Sequence, residues 1–286
     1  MNKHIIGVEI HVKRIEVAII NLDTKSIVPG TNVHTEINAM ETAENLLNCW
    51  ANTIKESLKL HGSPVEHIGI AVPGPFDYDK GIFLIQNLRK FDALYKMNLK
   101  ELLGERLNIP PENIRTANNS PCFLQGEVFH GAGKGYNNIL GFILSSGFGS
   151  ARYVDGLATD ADLWKAPFRN SIVNNYLDIQ WITERYYEFT THIAKDINEL
   201  ATLAQTDDGI GQLVFGEYGE NFAIFLSEYV KKFKAELVVV GGCNEAWEQF
   251  IPHVKDRISD NGIRVPIKSA VLGDSAALIG AANLWG

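Results

Sequence analysis

Two segments of this chain carry the same layout. IIGVEIHVKRIEVAII, residues 5–20, and ILGFILSSGFGSARYV, residues 139–154, are each an apolar run, a short turn and a second apolar run at matching offsets. A strand–turn–strand unit that recurs far along a chain points to two related halves facing each other across a cleft. Two unrelated hairpins would give the same pattern. The second copy turns on Ser145-Ser146-Gly147-Phe148-Gly149. Small residues there expose backbone N–H groups and clear side chains from the approach, which is how backbone cradles a phosphate. An ordinary glycine-containing hairpin reads the same way.

The remaining pattern alternates strands and helices, the signature of an α/β fold. Residues 27–34 read as a third strand broken at Pro29-Gly30. Residues 41–60 read as a helix, with Ala43, Leu47, Trp50, Ile54 and Leu58 on one face and Gly62 as its stop. Residues 65–72 form a buried strand ending in Pro73-Gly74-Pro75, a rigid loop whose backbone a ligand approaches closely or a plain strand-ending turn. A helix at 99–107 and a strand at 113–116 deliver Asn118-Asn119, beyond a strand end, where open sheets place ligands. Residues 178–204 and 216–234 read as helices, 236–240 as a central strand ending in Gly241-Gly242, 246–258 as a helix and 265–268 as a strand. The closing helix, 273–284, is rich in Ala, Ser and Gly and suits close packing against a neighbour or a nucleotide.

Length and charge narrow the function. The 286 residues make one or two domains. A net charge of −8 argues against a polyanion, so no nucleic-acid partner is expected. Cys49, Cys122 and Cys243 lie far apart without a CxxC, which argues against a disulfide framework or a zinc site and for a reducing cytoplasm. The N-terminal apolar run is too short for a signal peptide, and no run reaches membrane-spanning length.

Four segments, by their order and spacing, resemble the ROK family of sugar kinases and repressors. They are IGIAVPGPFD, ANNSPCFLQGE, HGAGKGYNNILGFILSSGFGSARYVDG, and LVVVGGCNEAWEQF with VLGDSAALIGAANL. The resemblance implies a two-lobed actin-like (ribonuclease H-like) sugar-kinase fold with a ligand cleft between the lobes. It implies an N-terminal lobe of residues 1–117, with the closing helix 274–286 packed back on it, and a C-terminal lobe of residues 118–273. In such a fold ATP sits in one lobe, a hexose between the two, and a carboxylate deprotonates the attacking sugar hydroxyl.

Carried over position by position, the resemblance gives Gly74, Asn87 and Asn118 as sugar-binding residues. It gives Ser145, Ser146, Gly147, Gly149, Gly241 and Gly242 as nucleotide-binding residues. Asn119 falls at the base position, where an amide cannot take a proton at neutral pH. A missing general base costs about 10²–10⁴-fold in rate. No carboxylate is adjacent in sequence; Glu127 is eight residues on. At the first phosphate turn the family's Asp-x-Gly-Gly-Thr-Lys is replaced by Glu9-Ile10-His11-Val12-Lys13-Arg14, which puts Val12 where backbone would meet phosphate. Glu9 is the one group left to hold a magnesium-bound water there. Lys13 and Arg14 either substitute charge for backbone donors or are solvated turn residues. The family's Glu-x-Gly-His clamp and zinc loop align with Ala166-Pro167-Phe168-Arg169, so no zinc is expected.

A scaffold kept while its chemistry is lost implies a degenerate, catalytically impaired member that binds a sugar or nucleotide in a regulatory role. Mg-ATP enters only if the chain is active. The alternative is an active hexose or amino-hexose kinase with its base moved to Asp77, Asp79, Asp160 or Asp162. A repressor is disfavoured because the first strand begins within a few residues of Met1, leaving no winged helix ahead of it. The resemblance also implies a homodimer, for which the aromatic segment 181–189 offers a surface.

Overall fold

The structure, a computed structural model, describes residues 3–206 and 209–286. The chain forms two compact units, residues 1–131 with 272–286, and residues 132–271.

In the first unit, strands β1 (His4–Ile10), β2 (Arg14–Asn21), β3 (Ser26–Ile27) and β4 (Val33–Glu36) precede helix α1 (Ala43–His61) and strand β5 (Ile68–Val72). The hairpin of β6 (Phe76–Asp77) and β7 (Ile82–Phe83) follows, then α2 (Leu99–Leu107), β8 (Ile114–Asn118) and α3 (Asn119–His130). The sheet runs β3-β2-β1-β5-β8, with β4 also on β2. The single broken strand expected at 27–34 is therefore two strands, both antiparallel to β2. β1 is antiparallel to β2 from His4↔Asn21 to Ile10↔Ile15, while β1, β5 and β8 are parallel.

Strands β1 and β5 are apolar almost throughout because helices cover both faces. On one face Ile6, Val8, Ile10, Ile70 and Val72 pack with Leu47, Trp50 and Ile54 of α1. Thr42 caps α1 by accepting from Asn45 N, and Gly62 ends it in the left-handed conformation, as its sequence position predicts. On the other face Ile5, Ala18 and Ile20 meet Leu278, Ile279 and Ala282 of the closing helix, whose bounds are Ser275–Ala282.

The second unit opens with β9 (Asn138–Leu144), β10 (Phe148–Val154) and β11 (Leu157–Asp160). The small hairpin of β12 (Pro167–Phe168) and β13 (Ser171–Ile172) leads into α4 (Asn174–Leu177), α5 (Ile179–Thr190), α6 (Ile197–Gln205) and α7 (Gly209–Phe233). Strand β14 (Leu237–Gly241), α8 (Trp247–Asp260) and β15 (Ile267–Ser269) complete it, and the closing helix is α9. Its sheet runs β11-β10-β9-β14-β15, with β9–β10 antiparallel and β9–β14–β15 parallel. This is the order of the first sheet again, so the repeated pattern reflects repeated topology. Phe142, Phe222, Phe225 and Phe250 sit at the centre of this unit's own core.

Helix α3 lies in the first unit, whereas the resemblance placed it at the head of the second lobe. Its neighbour explains why. A Cβ on Gly126 would run into the Ala276 carbonyl of α9, and one on Gly280 into the Cys122 carbonyl of α3. The two helices meet backbone to backbone. Among the described residues, no helix is long and apolar enough to cross a membrane.

Candidate functional site

Strand β8 ends at Asn118, and α3 begins at Asn119, so the paired amides lie where strand becomes helix. Asn118 is the N-cap: its Oδ1 accepts from Ser120 N at 2.9 Å. Its Nδ2 donates to the Tyr78 hydroxyl at 2.8 Å. That hydroxyl donates in turn to the Val72 carbonyl at 3.4 Å, and a Cβ on Gly74 would lie 3.1 Å from it. Tyr78 thus links Gly74 and Asn118, two of the predicted sugar-binding residues. Nothing in the sequence FDYDKG marks Tyr78 for this role. The third, Asn87, lines an open depression of about 530 Å³ with Gln86, Arg89, Asp92 and Tyr95.

Asn119 is held differently. Its Nδ2 donates to the Ile10 carbonyl at 3.1 Å and lies 3.5 Å from Glu9 Oε1. Two acceptors on that side fix the amide's orientation. Its Oδ1 points the other way, buried and with no hydrogen-bond partner among the described residues. The sequence left Asn119 without a carboxylate neighbour. The sheet supplies one, because parallel pairing of β1, β5 and β8 brings the end of β1 to the end of β8.

Glu9 stands opposite Glu16 in the β1–β2 register. Burial above all, then the charges of Glu16 and Asp274, raise its pKa to about 8, and Arg14 opposes them. Glu16, also raised chiefly by burial, pairs with Arg14 at 2.8 Å, and Arg14 binds Asp274 as well. Val12, at the β1–β2 turn, packs against the apolar core. The turn closes through His11 N donating to the Arg14 carbonyl at 2.9 Å. Glu127, the other carboxylate near in sequence, is fully buried and accepts from Leu272 N at 2.8 Å, a structural tie.

In the second unit the two glycine segments come together. Gly241 pairs with Ile143, and Gly242, at φ +93°, sits so close to the Leu144 carbonyl that a Cβ would overlap it. The 145–149 turn is braced from behind. Phe148 N donates to Asn174 Oδ1 at 2.9 Å, and Ile179 N donates to the Ser145 carbonyl at 2.9 Å. A Cβ added to Gly147 would meet, among the described residues, only Asn174 Oδ1 at 3.8 Å, so that side of the turn is open. Gly149 follows within β10, and Ser146 lies on the turn itself.

The segment aligned with the family's sugar clamp is structural. Phe168 is buried in the unit's core, and Arg169 Nε donates to Asn221 Oδ1 at 2.9 Å. Of the alternative bases, Asp77 accepts from Lys80 N, and Asp79 presents its carbonyl to Lys100. Asp160 and Asp162 belong to the second unit. Among the described residues, no group of three or more His, Cys, Asp or Glu side chains is placed to hold a metal ion.

The comparisons with known proteins follow the same lines. The ROK family model matches residues 5–160. The N-acetyl-D-glucosamine kinase of Photobacterium profundum is 24% identical over 283 residues, covering 88% of this chain and 86% of that protein. A ROK family glucokinase from Streptomyces griseus, solved in complex with glucose and AMPPNP, superposes with a TM-score of 0.80 at 16% identity, covering 98% of both chains. A ROK family transcriptional regulator, a homolog of the E. coli MLC protein, superposes with a TM-score of 0.76 at 15% identity, covering 98% of this chain and 76% of that one. The α/β architecture is the fold of the ROK sugar-kinase structures, the family match spans more than half of the sequence, and the chain belongs to the ROK family.

Proposed function

We propose that this protein is a catalytically impaired sugar-kinase relative that binds a small sugar, a nucleotide or both, and acts by binding. The observation that carries this reading is the state of Asn119. Its amide is locked onto the Ile10 carbonyl, and its buried Oδ1 lacks a donor. A buried acceptor without a partner costs about 1–3 kcal/mol. A ligand hydroxyl would supply the donor, and an amide would accept that bond without removing the proton.

The residues around Glu9 do not fit a magnesium ion. Glu9, its pKa raised by burial, belongs to no group of three or more metal-ligating side chains among the described residues, and Glu16 and Asp274 are both engaged by Arg14. No phosphoryl-transfer step is therefore assigned to this end of the sheet. The 145–149 turn and Gly241-Gly242 keep the backbone of a nucleotide site, with Gly147 open on one side. The relatives named N-acetyl-D-glucosamine kinases make N-acetylglucosamine and glucose the first sugars to test. The proposal places the protein in the cytoplasm as a homodimer, which light scattering checks.

The test pairs calorimetry with a coupled ATP assay over hexoses and amino-hexoses. Saturable binding of a sugar or of ATP without turnover is the expected result. Turnover of about 1 s⁻¹ or more, the ordinary enzyme range, overturns it.

A further inference from the structure

Helix α1 ends on a histidine that meets the first residue of β1. His61 Nε2 and His4 Nδ1 lie 3.0 Å apart, although 57 positions separate them in the chain. The hydrogen bonds around the pair fix its protons. His61 Nδ1 lies 3.0 Å from the Ser63 carbonyl, which only accepts, so Nδ1 carries the proton and Nε2 the lone pair. Asn21 Oδ1 accepts from Asp23 N at 2.9 Å and from Thr24 N at 3.3 Å, which turns its Nδ2 donor toward His4 Nε2 at 3.5 Å. His4 Nε2 therefore accepts, and His4 Nδ1 donates its proton to His61 Nε2.

This is the arrangement of two metal ligands with a proton in the place of the metal. A metal-bound imidazole donates its other ring N–H to a carboxylate, a backbone carbonyl or water, as His61 does to Ser63. Two ring nitrogens, each about 2.0–2.1 Å from one ion, stand about 2.9–3.4 Å apart as the geometry goes from square to tetrahedral. The 3.0 Å between His61 Nε2 and His4 Nδ1 falls within that span. The ring planes cross at 87° with centroids 4.9 Å apart, a bent contact of the kind that one ion between two rings requires. Both side chains are half-buried, which leaves water a path to them. The field also suits a cation. His61 is in the last turn of α1, whose carbonyl end carries partial negative charge, and Lys3, next to His4, is paired with Asp23.

We propose that His4 and His61 form a binding site for a divalent transition-metal ion of the class that imidazole takes, Zn²⁺, Ni²⁺ or Cu²⁺. The ion takes the lone pair of His61 Nε2. The His4 proton passes from Nδ1 to Nε2, so the freed Nδ1 lone pair binds the same ion and no proton is released. The cost is the His4–Asn21 bond, at 3.5 Å the longest of the set. Water fills the remaining positions, since no third His, Cys, Asp or Glu joins the pair among the described residues. An ion so held ties the start of β1 to the end of α1 within the first unit. It lies at the opposite end of β1 from Glu9, about 20 Å along the strand, and does not rest on the sugar-binding reading.

Calorimetry and thermal melts on the untagged full chain use Zn²⁺, Ni²⁺ and Cu²⁺ as simple salts. Saturable binding of one ion per chain is expected, with a melting temperature that rises with metal concentration, as binding to the native state requires. His4→Ala and His61→Ala are each expected to abolish both effects, and His253→Ala, on α8, to keep them. Ring-nitrogen NMR of the wild-type chain needs no variant to fold. Zn²⁺ is expected to shift the His4 and His61 signals together, ahead of the other imidazoles. Absence of saturable binding by all three ions overturns the proposal. Binding kept in both alanine variants overturns it too, as do other imidazole signals moving first. Loss in only one of the two variants assigns the ion to a single histidine and overturns the paired site. Melts of the metal-free variants check that the fold is kept.

Discussion

At the scale of single residues, the amide at position 119 is fitted to its surroundings. Its Nδ2 faces the Ile10 carbonyl and Glu9 Oε1, both acceptors. Asn119→Asp replaces the donor to the Ile10 carbonyl with a carboxylate that faces it. The variant is expected to lose about 1–3 kcal/mol of stability at pH 7.5 in urea denaturation, the cost of a buried polar group left unpaired. A variant as stable as wild type would mean that the amide is not built into the site. Glu9 makes a second prediction, through pH. Its folded pKa, about 8, lies above the ordinary 4.5, so the protonated form is favoured by folding. The stability it contributes is full below about pH 4.5 and is lost as pH rises to about 8. His11 runs the opposite way, its folded pKa lying below 6.5, so the clean window is pH 6.5 to 8. Across it the wild-type melting temperature is expected to fall. Glu9→Gln should flatten that fall. Equal slopes by calorimetry in the two proteins would refute the assignment. Asn119 and Glu9 were each legible in the sequence, as departures from the family's acids; their pairing was not, because 110 positions separate them and only the sheet joins them.

At the scale of elements, α9 shows what composition reveals and what it hides. Its run of small residues predicted a helix that packs closely, and it does so against protein. Gly7 on β1 would put a Cβ 2.5 Å from the Leu278 carbonyl, and Gly69 on β5 would run one into the Ala281 carbonyl. With Gly126 and Gly280, these positions form a seam in which backbone meets backbone. Gly280→Ala and Gly69→Ala must therefore move whole elements and are expected to cost more than about 3 kcal/mol, the upper end for overpacking. Gly156→Ala is the control: its φ is +90°, but an added Cβ would meet nothing within 4 Å among the described residues, so only backbone strain of about 1 kcal/mol is added. Equal losses in thermal melts across the three would remove the seam. The helices before α7 were less legible. The expected single helix over 178–204 divides where Thr191 ends α5 at φ 58°, and Asp196 restarts the chain as the cap of α6. A left-handed threonine carries no sequence signal, since glycine or asparagine is the usual residue there.

At the scale of the whole molecule, the repeated strand–turn–strand pattern was legible because β1, β2 and β9 are apolar and buried along most of their length. The boundary between units was not, since it depends on which unit α3 joins, and that is set by Gly126 and Gly280 meeting α9. The consequence is an asymmetry. The second unit is one continuous segment, residues 132–271, with its own sheet and aromatic core. The first is built from both chain ends, and α9 covers Ile5, Ala18 and Ile20 on one patch and Ala71 with Cys122 on another. A chain ending at residue 271 leaves those side chains uncovered, and burying each large aliphatic one is worth about 1.5–3 kcal/mol, a large share of a typical net stability. Residues 132–271 expressed alone are expected to give dispersed amide spectra and a cooperative melt. Residues 1–271 are expected to show one cooperative melt, from the second unit, with residues 1–131 protected little against hydrogen exchange. Full protection of β1 and β5 in that truncated chain would show that the sheet does not need its closing helix, and the backbone seam would then be packing without consequence.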